Sequence, residues 1–309
     1  MDGPLLRTRG LSKRFGPVTA LDNLTVEVPP GVVGLVGANG AGKTTLFRLM
    51  LGLARPTAGT VEIAGADATR EPLTARARLG YMPEHDCLPF DQTAADVVAM
   101  LGELAGLPAS AARQRASDVL DLVGLDEARF RPISGFSTGM RQRTKLAQAL
   151  VADPAVVLLD EPTAGLDPIG RQSMLELVAR LGAFGISVVL ATHLLDDVQA
   201  VCDHVVMLDT GRLVVAGPTA GLLEQSGVVV IEVDERAAEL AGALARRGLA
   251  ARAVEGMVEV DGAGDATFDA VLDALCELDL PLHRLTAGAA TLDEVFLRQA
   301  SPAAGGGRP

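Results

Sequence analysis

The chain has 309 residues, of which 49% are hydrophobic and 21% charged, a composition typical of a globular protein with room for one large α/β domain and a smaller one. Its formal net charge of −12 argues against a nucleic-acid partner, because proteins that bind duplexes usually present a basic face. The three cysteines are too widely spaced for a zinc cluster or a disulfide framework, and no apolar run approaches the roughly 20 residues of a membrane-spanning helix.

The hydrophobic pattern alternates between strands and helices along most of the chain. The continuous apolar run at 156–159 is typical of a strand that is buried on both faces of a parallel sheet. A mostly helical stretch from about 90 to 150 interrupts the alternation. In chain order we predict strands at 24–28, 32–36, 60–63, 156–159, 186–190, 205–208 and 212–215, and helices at 43–53, 93–104, 111–123, 168–181 and 194–201.

The composition shifts near Gly227. Residues beyond this point predict a small α/β module with a strand at its start, helices at 236–247 and 267–278, a strand at 257–260 and a last amphipathic helix at 291–299. The end of the chain is rich in Pro, Ala and Gly, which indicates disorder. We therefore predict a large domain at 1–226 with a helical subdomain at about 90–150, a small α/β domain at 227–300 and a disordered tail at 301–309.

A glycine-rich loop between strand 32–36 and helix 43–53 fits the pattern G-x-x-x-x-G-K-[ST], which predicts a binding loop for nucleotide phosphates. Glycines let successive backbone N–H groups point at phosphate oxygens, and the helix N-terminus adds partial positive charge at the same place. We expect Lys43 to contact the β- and γ-phosphates and the Thr44 hydroxyl to bind Mg²⁺. Lysine is rare here, since most of the 27 basic residues are arginine, and a compact ammonium fits such a loop better than a guanidinium. The predicted phosphate-binding residues are Gly37, Ala38, Asn39, Gly40, Ala41, Gly42, Lys43, Thr44 and Thr45.

Two adjacent carboxylates, Asp160 and Glu161, follow the apolar strand at 156–159. Because the carboxyl ends of parallel strands meet at one edge of a sheet, we expect this pair close to the phosphate-binding loop. Asp160 is predicted to hold Mg²⁺ through its water shell, and Glu161 to polarise the attacking water as a general base. The sequence thus predicts a nucleotide and Mg²⁺ as ligands and hydrolysis at the γ-phosphate as the reaction; the resemblance given next implies that the nucleotide is ATP.

A third block, just ahead of the acidic strand, reads Phe-Ser-Thr-Gly-Met-Arg-Gln-Arg at 136–143. Taken alone, its Ser-Thr-Gly segment is typical of an ordinary helix N-cap. The block resembles the LSGGQ signature of ABC transporter ATP-binding subunits, in the form found in exporters of the drug-resistance (daunorubicin) type. The resemblance implies that Ser137 and Gly139 open a helix and bind the γ-phosphate of an ATP held by the opposite subunit.

Other positions resemble the same family in the same order. Residues 164–167, Ala-Gly-Leu-Asp, resemble its D-loop. His193 resembles the switch histidine at the γ-phosphate, although a lone histidine is more often structural. Phe15 resembles the aromatic residue that stacks on adenine, with a place in the core as the alternative. The chain departs from the family at Glu84, where glutamine is usual; a carboxylate there can still approach Mg²⁺ or its waters.

The resemblance implies a phosphate-loop NTPase fold: a RecA-like sheet with a helical signature subdomain and N-terminal antiparallel strands, plus a small C-terminal α/β domain. It further implies two chains facing head to tail around two ATP molecules, and a separate integral-membrane permease that places them at the cytoplasmic face of the cell membrane. The cargo expected is a drug-like, lipid or other hydrophobic compound.

Three alternatives compete with an exporter motor. A soluble ABC ATPase of DNA repair or translation would typically show a long coiled-coil insertion or two ATP cassettes, and the sequence shows neither. The ATPase sequence alone does not distinguish an ABC motor for a non-export membrane task from an exporter motor. A phosphate-loop kinase or GTPase has no place for the 136–143 block or for His193.

Overall fold

The computed structural model describes residues 3–233, 236–254, 256–262, 264–288, 291–292 and 295. The chain divides into two compact units, Met1–Ala216 and Gly217–Pro309. The sequence places the division between 226 and 227, whereas these compact units divide between Ala216 and Gly217, within the strand at 212–218. The predicted tail at 301–309 and most of the predicted helix at 291–299 lie outside the described residues.

Each element predicted between residues 24 and 215 has a counterpart in the structure; the strand at 32–36 has the predicted bounds, and each of the others has at least one shifted end. The short elements at 66–67, 72–76 and 79–82 were not predicted, because too few residues carry their pattern. In chain order the elements are β1 (Leu6–Phe15), β2 (Val18–Val28), β3 (Val32–Val36), α1 (Lys43–Met50), β4 (Ala58–Ile63), β5 (Ala66–Asp67), α2 (Pro72–Arg76), β6 (Leu79–Met82), α3 (Ala94–Leu104), α4 (Ala109–Leu122), α5 (Thr138–Leu150), β7 (Val156–Asp160), α6 (Pro168–Ala183), β8 (Ser187–Thr192), α7 (Leu195–Val201), β9 (His204–Asp209) and β10 (Arg212–Pro218).

The central sheet of the first unit has the strand order β10-β9-β3-β8-β7-β6. The pairs from β9 through β3, β8 and β7 to β6 are parallel. Every residue of β3, β7 and β8 is buried, which agrees with the continuous apolar runs in their sequence. Because β3 and β7 point the same way, the loops that follow them meet at one edge of the sheet.

A second sheet, in the order β2-β1-β4-β5, is antiparallel. It contains the N-terminal antiparallel strands that the resemblance implied. The strand β1 shows little of its own pattern in the sequence, because its register shifts near Gly10, whose φ of 56° places it in the left-handed region. Leucine side chains from this sheet share one core with helix α1 and the central sheet.

The helices α3, α4 and α5 form the predicted helical stretch. Thr93 caps α3 by accepting a hydrogen bond from the backbone N–H of Asp96 at 3.1 Å. Helix α5 lies directly on β6, where a Cβ atom at Gly80 would overlap the carbonyl oxygen of Ala149. Glycine at position 80 is therefore what allows the strand and the helix to approach this closely.

The second unit has its own antiparallel sheet, in which β11 (Val228–Glu232), β12 (Ala251–Val254), β13 (Met257–Asp261) and β14 (Arg284–Gly288) lie in the order β12-β13-β11-β14. Its helices are α8 (Thr219–Ser226), α9 (Ala237–Arg246) and α10 (Asp265–Glu277). The helices α9 and α10 contact each other, and α9 also packs on the sheet; Val229, Leu240 and Val258 lie in the core between them. Helix α8 and the strands β12 and β14 were not predicted.

Within the ranges given above, no helix is both long enough and apolar enough to cross a lipid bilayer.

We expect Gly80→Ala to lower the free energy of unfolding by about 3 kcal/mol, because the methyl group meets backbone that cannot move aside cheaply. Urea unfolding followed by circular dichroism measures the change. Gly135→Ala is the control, since a Cβ there meets nothing within 4 Å, and it should stay within about 0.5 kcal/mol of the parent. Equal stabilities for the two variants would contradict the close packing of β6 on α5.

Candidate active site at the edge of the central sheet

The loop between β3 and α1 contains the predicted phosphate-binding residues. A Cβ at Gly37 would overlap the backbone of Leu208, and Gly40 and Gly42 have φ values of 86° and 107°. These conformations require glycine. No side chain caps the N-terminus of α1, so its first N–H groups remain available to an anion.

Lys43, the first residue of α1, folds back across this loop. Its Nζ donates to the carbonyl oxygen of Gly37 at 2.5 Å and lies 3.6 Å from Oε1 of Glu161. The side chain is only 7% exposed. A buried ammonium is thus held at the mouth of the loop, between main-chain oxygens and a carboxylate.

Asp160, the last residue of β7, is buried beside the same loop. The Thr44 hydroxyl donates to its Oδ2 at 3.3 Å, and the Tyr81 hydroxyl, on the neighbouring strand β6, donates to the same oxygen at 3.5 Å. The structure therefore brings together Thr44 and Asp160, two of the three residues predicted to bind Mg²⁺. Tyr81 was not predicted, because its partner is distant in the sequence.

Glu161 follows Asp160 with a φ of 48°, a left-handed conformation that is uncommon for a residue with a side chain. Its carboxylate accepts from the Thr192 hydroxyl at 3.2 Å and lies 3.1 Å from Nδ1 of His193 through either oxygen. Both partners stand at the end of β8, the strand beside β7. The structure thus joins Lys43, Glu161 and His193 in one cluster, to which Thr192 adds a contact that the sequence did not indicate.

An open cleft of about 300 Å³ lies between these groups. It is lined by Ala20, most of residues 38–45, Glu84, Asp160 and Glu161. Three carboxylates and the Lys43 ammonium therefore face the same space. Six predicted site residues are not among the described residues that line this cleft: Phe15, Gly37, Ala41, Ser137, Gly139 and His193.

The predicted signature residues lie at the N-terminus of α5. Ser137 is exposed and caps this helix by accepting from the backbone N–H of Met140 at 3.3 Å. Gly139 is partly exposed. Phe15 is 46% exposed, with the Lys13 ammonium 4.7 Å from the centre of its ring. A core position for Phe15, the alternative raised above, does not agree with this exposure.

A buried network connects the segment after Glu161 to helices α6 and α7. Asp197 is fully buried in α7; it accepts from the Thr163 hydroxyl at 2.8 Å and from Nε of Arg171 at 2.5 Å. Asp167, in the segment that resembles a D-loop, caps α6 by accepting from the backbone N–H of Gly170 at 2.7 Å. These bonds fix the backbone that leads away from Glu161.

The residues that line the cleft bring three carboxylates and one ammonium. Burial raises the pKa of Asp160, and the nearby Glu84 and Glu161 carboxylates raise it further, against the opposing effects of the Thr44 hydrogen bond and the Lys43 ammonium. Burial, together with Asp160, raises the pKa of Tyr81 to about 12. A buried carboxylate in such surroundings favours a cation beside it.

The donor set fits Mg²⁺, which prefers hydroxyl, carboxylate and water oxygens and typically takes one or two carboxylates together with substrate phosphates. Thr44 and Asp160 share a hydrogen bond, and Glu84 lines the same cleft. Among the described residues, no group of three or more acidic, histidine or cysteine side chains forms a preassembled metal cage.

We expect Asp160→Asn to stabilise the nucleotide-free protein by about 1 kcal/mol at neutral pH. The raised pKa means that the folded state binds the proton more tightly than the unfolded state, so ionisation lowers the free energy of unfolding as pH rises above the ordinary value of 3.8. The gain should shrink on acidification towards that value. Urea unfolding over a pH series measures it, with exposed Asp209→Asn as the control; a less stable Asp160→Asn variant would contradict the argument.

Comparisons with known proteins show the family of this chain. The family described as ABC transporter matches residues 21–164. The chain is 35% identical over 304 residues to the daunorubicin/doxorubicin resistance ATP-binding protein DrrA of Streptomyces peucetius, covering 94% of this chain and 91% of that protein. It is 37% identical over 232 residues to the Nod factor export ATP-binding protein I of Ralstonia nicotianae, covering 74% of this chain and 72% of that protein.

A solved structure with a similar fold is that of cbiO1 from Clostridium perfringens, part of the ABC transporter complex cbiONQ. It matches with a TM-score of 0.66 and 27% identity, over 72% of this chain and 91% of that chain. The predicted phosphate-loop NTPase fold is confirmed. This chain belongs to the ATP-binding proteins of the ABC transporter family.

Proposed function

We propose that the chain hydrolyses ATP as one half of a head-to-tail dimer that drives export through a separate membrane permease. The observation that carries the proposal is the meeting of Lys43 and Thr44, from the loop after β3, with Asp160 and Glu161, from the end of β7, around one cleft. Phosphate binding and acid–base chemistry are thereby available at the same place.

The loop at 37–45 would bind the phosphates of ATP. Its glycines adopt conformations that would let backbone N–H groups bind phosphate oxygens, and the uncapped N-terminus of α1 adds partial positive charge. The Lys43 ammonium would move from Glu161 to the β- and γ-phosphates, where it meets more negative charge. The exposed ring of Phe15 would stack on the adenine base.

Thr44 and Asp160 would hold Mg²⁺, with Glu84 close enough to bind the metal or its waters. When bound, the metal would neutralise charge that develops on the phosphate oxygens. The carboxylate of Asp160 would then gain the counter-charge that its burial requires.

Glu161 would act as the general base. Once Lys43 binds phosphate, an oxygen of Glu161 can accept a proton from a water molecule that attacks the γ-phosphorus. The bond from this phosphorus to the bridging oxygen breaks, giving ADP and inorganic phosphate. His193 and Thr192 hold the carboxylate in place, and the half-exposed His193 ring can also reach towards the γ-phosphate.

The exposure of Ser137 and the partial exposure of Gly139, outside the cleft, support a site shared between two chains. The N-terminus of the thirteen-residue helix α5 carries partial positive charge, and Ser137 adds a hydroxyl. A second copy, placed head to tail, would bring these groups to the γ-phosphate of the first. ATP binding would close such a dimer, and hydrolysis with phosphate release would open it.

An export role is supported by the relatives, one of which is described by drug resistance and the other by export. We propose a hydrophobic cargo, carried by an integral-membrane permease that holds this chain at the cytoplasmic face of the cell membrane. The net charge of −12 favours this function over a nucleic-acid-linked ABC ATPase, since phosphate backbones attract basic proteins.

We expect Glu161→Gln to lower ATP turnover by at least about 100-fold, because the general base is lost. ATP binding should persist and the dimer should accumulate, since the substitution replaces a carboxylate close to the γ-phosphate with a neutral amide and the bound ATP is no longer consumed. Phosphate release and light scattering with ATP and MgCl₂ measure the two effects.

Two variants provide the controls for this measurement. Lys43→Ala should weaken ATP binding itself, whereas Gly139→Glu in the Glu161→Gln background should prevent dimerisation and leave nucleotide binding to the monomer intact. Normal ATP turnover in Glu161→Gln would contradict the assignment of Glu161 as the general base. If the ATP-bound Glu161→Gln protein stays strictly monomeric, both alone and with its membrane partner, the proposed site between two chains is contradicted.

For the export role, we expect a tagged chain purified from detergent-solubilised membranes of its source cells to carry a membrane protein with several spanning helices. Reconstituted in vesicles, the pair should move an apolar dye only with ATP, and Lys43→Ala should abolish the movement. Recovery of the chain with nucleic acid or ribosomes, and without a membrane protein, would favour the soluble alternative.

A further inference from the structure

Lys145 is a buried charge that the proposed mechanism does not use. It lies in the middle of α5 and is 1% exposed. Its Nζ donates to the carbonyl oxygen of Pro83 and to that of Glu84, each at 2.8 Å. Both oxygens belong to the segment that leaves β6, so the ammonium binds main chain that is far from α5 in the sequence.

A buried ammonium at this position is costly, and the chain could have avoided it. Burial lowers the pKa of Lys145, against the opposing effect of the Cys87, Asp86, Glu84 and Asp160 groups around it. A methionine would fill similar space without the cost of desolvation. The hydrogen bonds to the two carbonyl oxygens compensate the ammonium for its burial. Leaving these oxygens unpaired would also cost free energy.

The segment that Lys145 binds carries Glu84 to the cleft. Glu84 lines the cleft that Thr44 and Asp160 share, and its carboxylate is near enough to raise the pKa of Asp160, while its carbonyl oxygen accepts a hydrogen bond from Lys145. A second contact supports the same attachment, since the Cys87 thiol lies 3.7 Å from the amide oxygen of Gln148, also on α5.

Helix α5 links this attachment to the proposed dimer contact. Lys145 lies eight positions after Ser137, which is about 12 Å along a helix. The two groups are therefore parts of one rigid element that starts at the exposed cap and reaches the back of the Glu84 segment.

We propose that Lys145 is a positioning residue that sets the place of Glu84 at the Mg²⁺ side of the cleft and couples it to α5. The inference rests on the proposed function. A shift of α5 on dimer closure moves the Glu84 main chain with it, so the metal site and the signature helix respond together. The role differs from that of a simple structural contact because it acts through the Glu84 carboxylate.

The test is a double-mutant cycle on the full-length protein. The probe is a fluorescent, non-hydrolysable ATP analogue, and the measured quantity is the MgCl₂ concentration that gives half of the Mg²⁺-dependent binding. We expect Lys145→Met to raise this concentration about ten-fold in the native background and to leave it unchanged in the Glu84→Ala background, as coupled neighbours do. Analogue binding in EDTA should change little.

Arg143→Met is the matched control, because Arg143 also lies on α5 and donates to main-chain oxygens, those of Val123 and Gly124, away from the cleft. Should Lys145→Met fail to fold, Lys145→Leu, which also removes the hydrogen-bond donor, takes its place in both backgrounds. The inference is overturned if Lys145 variants shift the MgCl₂ requirement equally with and without Glu84, or no more than Arg143→Met does. Absence of analogue binding by the parent protein would instead overturn the proposed function, and the inference with it.

Discussion

The buried ion pair between Lys43 and Glu161 connects the two loops on which the site is built. The two side chains are 7% and 8% exposed and their charged atoms lie 3.6 Å apart, in surroundings where salt screens little. The loop after β3 and the loop after β7 are thereby held in register before any nucleotide binds. Removal of either partner would leave an uncompensated charge in the interior. An incoming phosphate competes with Glu161 for the same ammonium, which links substrate binding to release of the base.

The arrangement of the site lowers the stability of the ligand-free protein and favours the binding of ligands. Burial raises the pKa of both Asp160 and Tyr81, which is the sign of groups placed where their charged forms are disfavoured. The left-handed backbone of Glu161 adds local strain. The surrounding sheet is buried throughout β3, β7 and β8, and this core holds the acidic groups in position. Such a site is most stable with its ligands present.

Local patterns could be predicted from the sequence, and long-range contacts could not. The phosphate-binding loop and the acidic end of β7 follow from a motif and from one apolar run, because each depends on a few neighbouring residues. The contacts of Thr192 with Glu161 and of Lys145 with Pro83 join residues 31 and 62 positions apart. No local pattern encodes such pairs. Strand β1 was hidden for another reason, since the irregular register near Gly10 removes its alternation.

The contact between Gly80 and Ala149 has a mechanical consequence. With no side chain between them, strand β6 and helix α5 have no compressible layer that could absorb a relative tilt. A tilt of the exposed N-terminus of α5 would therefore move β6 with it, since the strand and the helix are in direct contact. Strand β6 and helix α5 therefore move as one unit that meets at Gly80.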